Sequence, residues 1–142
     1  MAWQDADVEK VYTTPLLDKL GVRPGMRVAI VGPVDPDGSF LAQLADRTDD
    51  VTVGRPKPDT DLVFLAADTH AELAGLAALR GRIRPAGAIW VVSRKGRAAT
   101  LRDVEVMAAA KDAGLVDNKV VSFSTRRTAI RLVIPVALRP KS

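Results

Sequence analysis

Short apolar runs without a polar face alternate along this chain with segments whose apolar residues recur at helical spacing, and this alternation restricts the fold more than any other feature. Arg27-Val28-Ala29-Ile30-Val31-Gly32, Asp61-Leu62-Val63-Phe64-Leu65-Ala66 and Ala88-Ile89-Trp90-Val91-Val92 read as strands covered on both faces. Between them the spacing predicts helices. Thr14, Pro15 and Gly21 bracket one over 15–20, with the asymmetry usual at helix ends. Phe40, Leu41, Leu44 and Ala45 form the stripe of a second, which ends near 46–48. Thr69 and Glu72 stand at capping-box spacing in a third, with Leu73, Leu76 and Ala77 as its apolar stripe. Thr100 opens a fourth, with Leu101, Val104, Met107 and Ala108 on one face and Gly114 past its end. Val51-Thr52-Val53 is a weaker strand, Arg84-Pro85-Ala86-Gly87 a turn, and 119–124 pairs with 128–136 as a closing hairpin. The expected fold class is α/β: three layers around a mostly parallel sheet, with an antiparallel strand from the C-terminal hairpin.

At 142 residues the chain suits one domain, here 1–142, with an N-terminal arm over 1–12, a core over 13–136 and a tail over 137–142. Aromatics make up 4%, so the core is expected to be aliphatic and base-stacking residues are few. Cysteine is absent, which excludes disulfides, thiolate zinc sites and a cysteine nucleophile. The acidic N-terminus lacks a secretory pattern, so a cytoplasmic location is expected. No apolar stretch reaches the roughly 20 residues of a membrane helix, so no membrane partner is expected.

Charge is uneven. Residues 1–70 carry 7 Lys/Arg against 12 Asp/Glu, and 71–142 carry 14 against 5, giving −5 and +9. A basic C-terminal half suits a small anionic ligand or nucleic acid, although an overall +4 is modest for a dedicated nucleic-acid domain. Solvated helix and loop charges are the plainer reading; Arg126 and Arg127 at the hairpin tip would form a nucleic-acid patch only if they joined Arg94, Lys95 and Arg97 on one face.

Leu20-Gly21-Val22-Arg23-Pro24-Gly25-Met26-Arg27-Val28 and Ile83-Arg84-Pro85-Ala86-Gly87-Ala88-Ile89-Trp90-Val91 resemble two motifs of the class I methyltransferase-like Rossmann domains. The first matches the lead into their opening strand, the second their leucine-lysine-proline-glycine-glycine segment. More narrowly, Tyr12, Thr14-Pro15-Leu16, Lys19-Leu20-Gly21 and Gly114-Leu115-Val116-Asp117 are similar to a bacterial family of short proteins known only as a domain of unknown function. The resemblance implies a truncated, methyltransferase-like fold.

Members of the superfamily hold S-adenosylmethionine with an acid and glycines after strand 1 and an acid at the end of strand 2. Glycines permit close approach of the backbone, and a carboxylate accepts the ribose hydroxyls. Here Ile30 stands for the first acid, Val34 and Pro36 for the later glycines, and Val53-Gly54-Arg55 ends strand 2 with a cation. Only Gly32 remains, and the connector from Val53 to Asp61 is too short for the helix and strand usual there. The expectation is therefore no cofactor, no metal and no catalytic residue. The reading placed first is a non-catalytic binding or interaction module for a phosphorylated or nucleotide-like ligand. The alternatives are a small divergent S-adenosylmethionine-dependent methyltransferase and a nucleic-acid-binding protein. Self-association through the hairpin edge or the Trp3 segment is a further expectation.

Ligands of open parallel sheets sit beyond the carboxyl ends of the strands. This selects 32–38 after strand 1, Ala67-Asp68-Thr69-His70 after the Leu62 strand and 93–97 after the Trp90 strand, expected to converge on one crevice, with Gly32, Asp35, Ser93, Arg94 and Lys95 as the candidate binding set. Ser93-Arg94-Lys95-Gly96-Arg97 is expected to lead into a helix N-terminus and suit phosphate. Asp35 and Asp37 read as turn and cap residues before they read as cation ligands. His70, the sole histidine, reads as exposed and without a catalytic partner.

Overall fold

The computed structural model describes residues 15–139. The Thr14 cap, the Trp3 segment and the last residues of the expected tail lie outside them. In chain order the elements are α1 (Leu16–Lys19), β1 (Arg27–Val31), α2 (Ser39–Arg47), β2 (Asp50–Val53), β3 (Thr60–Ala66), α3 (His70–Leu73), α4 (Leu76–Arg80), β4 (Ile83–Arg94), α5 (Asp103–Asp112), β5 (Val116–Ser122) and β6 (Arg127–Val133). Single 3-10 turns occupy Gly96–Ala98 and Val136–Leu138.

The six strands form one sheet in the order β2-β1-β3-β4-β6-β5. β1 pairs in parallel with β2 and β3, and β3 with β4, whereas β6 runs antiparallel to both β4 and β5. The α/β reading with a C-terminal antiparallel strand holds. Successive residues of the central strands feed two cores, as runs without a polar face require. Val28, Ile30, Leu62, Phe64, Trp90 and Val92 pack with Leu17, Leu20, Phe40 and Leu44. Ala29, Val63, Leu65, Ile89 and Val91 pack with Leu73, Leu76, Leu79, Val106 and Ala110. The indole of Trp90, fully buried, donates from Nε1 to the Leu20 carbonyl at 3.1 Å and ties β4 to the end of α1.

Several local expectations change. The third helix breaks at Ala74-Gly75 into α3 and α4, and its buried stripe is Leu73, Leu76 and Leu79, with Ala77 exposed. α5 begins at Asp103 and turns Val106 and Ala110 inward, while Val104 is 60% exposed and Leu101 is buried ahead of the helix. This Ala-rich segment offers two stripes of similar helical spacing, and packing chooses between them. In α2, Phe40 and Leu44 are buried and Leu41 is exposed.

The expected turn over 84–87 is instead the start of β4, and its register against β3 shifts between Thr60 and Leu62. A Cβ on Gly87 would lie 2.8 Å from the Asp61 carbonyl oxygen, so β3 and β4 approach through a position only glycine fits. The hairpin strands lie earlier than expected, with β6 between β4 and the edge strand β5. Among the described residues, no helix is long and apolar enough to cross a membrane.

Candidate functional site

The winding of the sheet reverses between β1 and β3, so the crevice beyond their carboxyl ends is where such a fold places a ligand. Two recesses meet that rim. The smaller, about 410 Å³, is an apolar slot bordered by Val31, Gly32, Leu65, Ala66, Ala78 and Leu79, with Arg55 and Glu72 also on its wall. The larger, about 720 Å³, lies under the loop after β1, the end of β4 and the hairpin tip. Val34 and Asp35 border it, so the turn that starts at Gly32 faces the slot with its first residue and the cavity with its third and fourth.

Gly32 has φ +82°, and a Cβ there would meet the Cβ of Ala66 at 3.2 Å. The left-handed turn after β1 thus needs glycine both for its backbone and for the closeness of β3. Asp35 caps α2 from outside: its Oδ2 accepts the Phe40 backbone N–H at 2.8 Å and the Ser39 hydroxyl at 2.9 Å. Asp37 Oδ1 accepts the Ser39 N–H at 2.9 Å, and these hydrogen bonds, that backbone one foremost, hold its carboxyl below the ordinary value. Both acids serve the turn, and among the described residues no three His, Cys, Asp or Glu gather as a metal centre.

At the end of β4, Arg94 donates from its backbone N–H to Asp68 Oδ1 at 2.8 Å and from Nε to Asp68 Oδ2 at 3.2 Å. Lys95 donates from Nζ to Ser122 Oγ at 2.7 Å, and its backbone N–H donates to the Arg126 carbonyl at 3.0 Å. These bonds fasten the loop after β3 and the hairpin tip to the end of β4.

Of the five residues singled out from the sequence, Asp35, Arg94 and Lys95 converge on the larger cavity. Gly32 lies on the slot. Ser93 is 2% exposed, paired opposite Thr128 within the sheet, and borders neither recess. Arg97 lies in a 3-10 turn, and α5 starts only at Asp103, so the basic loop does not run straight into a helix N-terminus. His70 is exposed and sits 3.1 Å from Glu105 Oε2, away from both recesses.

Sequence reasoning missed three contributors. Phe40 and Phe123, with ring centroids 4.8 Å apart at 64°, line the larger cavity. Arg126 and Arg127, expected at the hairpin tip, join Arg94 and Lys95 on the wall of this cavity, whereas Arg97 does not border it. Glu72 was read only as half of a capping box, which it does form: Thr69 Oγ1 accepts its N–H at 3.1 Å, and Glu72 Oε1 accepts the Asp68 N–H at 2.9 Å. It also borders the slot.

No family model and no curated protein matches the chain, so the narrower resemblance to a short bacterial family gains no support. Solved structures do match in fold. An S-adenosylmethionine-dependent methyltransferase from Aquifex aeolicus shares 20% identity over 89% of this chain and 88% of its own, with a TM-score of 0.66. A TehB-like S-adenosylmethionine-dependent methyltransferase from Corynebacterium glutamicum shares 12% identity over 94% and 95%, with a TM-score of 0.56. The O-methyltransferase NcsB1 of neocarzinostatin biosynthesis, solved with S-adenosyl-L-homocysteine and 1,4-dihydroxy-2-naphthoic acid, shares 16% over 80% of this chain and 49% of its own, with a TM-score of 0.59. These neighbours overturn the expectation of no cofactor. The eroded strand-1 and strand-2 acids weighed too heavily in that expectation, because the fold and a recess at the winding reversal persist without them. What the comparisons establish is a truncated, methyltransferase-like fold.

Proposed function

We propose that this chain is a small S-adenosylmethionine-dependent methyltransferase, the second of the three readings its sequence allows. The observation that carries the proposal is the apolar slot at the winding reversal, with left-handed Gly32 at its rim. Val31, Leu65, Ala78 and Leu79 offer a wall suited to a flat nucleobase, and Gly32 leaves the backbone open to close approach. The similar solved structures favour this reading over the non-catalytic module.

The residues present fit the nucleoside by a different route from the usual one. The end of β2 supplies Arg55 and no carboxylate, but Glu72 brings a carboxylate to the same slot. Its Oε1 accepts from Asp68 and Thr69, so Oε2 would be the atom left to accept from the ribose hydroxyls. When bound, the cofactor supplies a methyl group on a positively charged sulfur. The chain's own contribution is positional: the turn from Gly32 through Val34 joins the slot to the larger cavity, which would hold the acceptor.

Calorimetric titration with S-adenosyl-L-homocysteine tests this. Saturable one-site binding is expected, weakened about tenfold by Glu72→Gln, which keeps the capping box but removes the charge. Absence of heat at about 1 mM ligand, a concentration at which even millimolar affinity registers, would end the proposal.

A further inference from the structure

We propose that the larger cavity takes a small acceptor carrying an oxyanion group, carboxylate or phosphate, on an aromatic or apolar body. The word acceptor rests on the methyltransferase reading; the chemistry of the cavity stands on its own residues. Two acids and four cations border it, and they are not equally available. Asp35 and Asp37 spend carboxylate oxygens on Ser39 and Phe40 at the start of α2. Arg94 is held by Asp68. Lys95 gives one hydrogen bond to Ser122, leaving two of its three donors. The side chains of Arg126 and Arg127 make no hydrogen bond or ion pair among the described residues. Donors are therefore in surplus where acceptors are consumed, and a wall of that kind selects an anion, with the guanidinium fork matched to carboxylate and phosphate.

The rest of the lining includes apolar residues. Leu16, Pro36 and Ala98 offer accessible apolar surface there, over the buried edge-to-face pair Phe40 and Phe123, and a ring or chain laid on them is removed from water while its anionic end reaches the hairpin tip. A recess of about 720 Å³ has the size of a small-molecule site. It does not have the form of a nucleic-acid track, which needs a stripe of cations along several phosphates; Arg97 of the same basic loop does not border it.

Calorimetry of the full chain at low salt with phenyl phosphate, benzoate and benzyl alcohol tests the proposal, with S-adenosyl-L-homocysteine titrated into the same preparation. Saturable binding of the two anions is expected, with benzyl alcohol at least about tenfold weaker. The double variant Arg126→Gln, Arg127→Gln, checked for its fold by circular dichroism, is expected to weaken phenyl phosphate about tenfold and to leave S-adenosyl-L-homocysteine binding unchanged. Equal binding of benzyl alcohol, or an unaltered double variant, overturns the proposal, as does a single-stranded oligonucleotide of about ten bases that displaces phenyl phosphate with a steep salt dependence. Heat from S-adenosyl-L-homocysteine without heat from either anion overturns it and spares the methyltransferase reading. Heat from the anions alone supports it and removes that reading.

Discussion

Asp68 grips Arg94 twice, through the backbone N–H at 2.8 Å and through Nε at 3.2 Å, and so locks the loop after β3 to the end of β4. The Asp68 side chain is 16% exposed and that of Arg94 50%, so water screens the ion pair and the backbone hydrogen bond carries most of the contact's worth. Asp68→Ala leaves a backbone donor without its partner and frees the guanidinium beside the larger cavity. A loss of about 1–2 kcal/mol in urea unfolding is expected. An unchanged midpoint would mean that the loops are held without this contact.

Gly87→Ala places a methyl group against backbone, not against a movable side chain: the Asp61 carbonyl at 2.8 Å and those of Arg84 and Thr60 at 3.1 Å. The two strands must separate to admit it. We expect a destabilisation of about 2–4 kcal/mol, read from thermal or denaturant unfolding. By contrast, Gly38→Ala meets open space and costs only the left-handed backbone, about 1–2 kcal/mol.

Trp90→Phe removes the bond from Nε1 to the Leu20 carbonyl and leaves part of the indole volume empty in the core between the sheet and α1. Loss of a buried partner and a small cavity act together, so about 2–3 kcal/mol is expected in equilibrium unfolding. A near-neutral result would show that α1 does not depend on this tether.

Acid should weaken the fold through Asp50 and Glu105. The hydrogen bond from Arg27 holds the Asp50 carboxyl below its ordinary value, and that from Arg102 does the same for Glu105. A carboxyl depressed in the folded state binds protons more readily when unfolded, so its contribution is fully present above about pH 5 and is lost as pH falls through the folded value. Unfolding free energy measured across that range should decline, less steeply in Asp50→Asn, and less in high salt because the groups are solvent-accessible. Identical slopes in the variant and the parent would remove Asp50 from the account.

Part of the candidate site was legible because loops after parallel strands must emerge at one rim. That rule places Asp35, Arg94 and Lys95 together. It cannot say how far each loop turns: Gly32 opens to the other recess, and Ser93, one residue short of the rim, is consumed by the sheet. Arg126 and Arg127 come to the same wall because β6 inserts antiparallel beside β4, a pairing between segments about 40 residues apart that no local spacing encodes.

Local chemistry was enough to fix the class of architecture, since runs such as Leu62–Leu65 have no polar face and must be covered twice. It also placed the capping box at Thr69 and Glu72. Tertiary structure alone decided which stripe of α5 turns inward, where β4 begins, and that Glu72 lines an apolar slot while two arginines and two phenylalanines share a cavity. The reason is physical: periodicity and caps depend on neighbours in the chain, whereas strand order, register and cavities depend on contacts between residues distant in it.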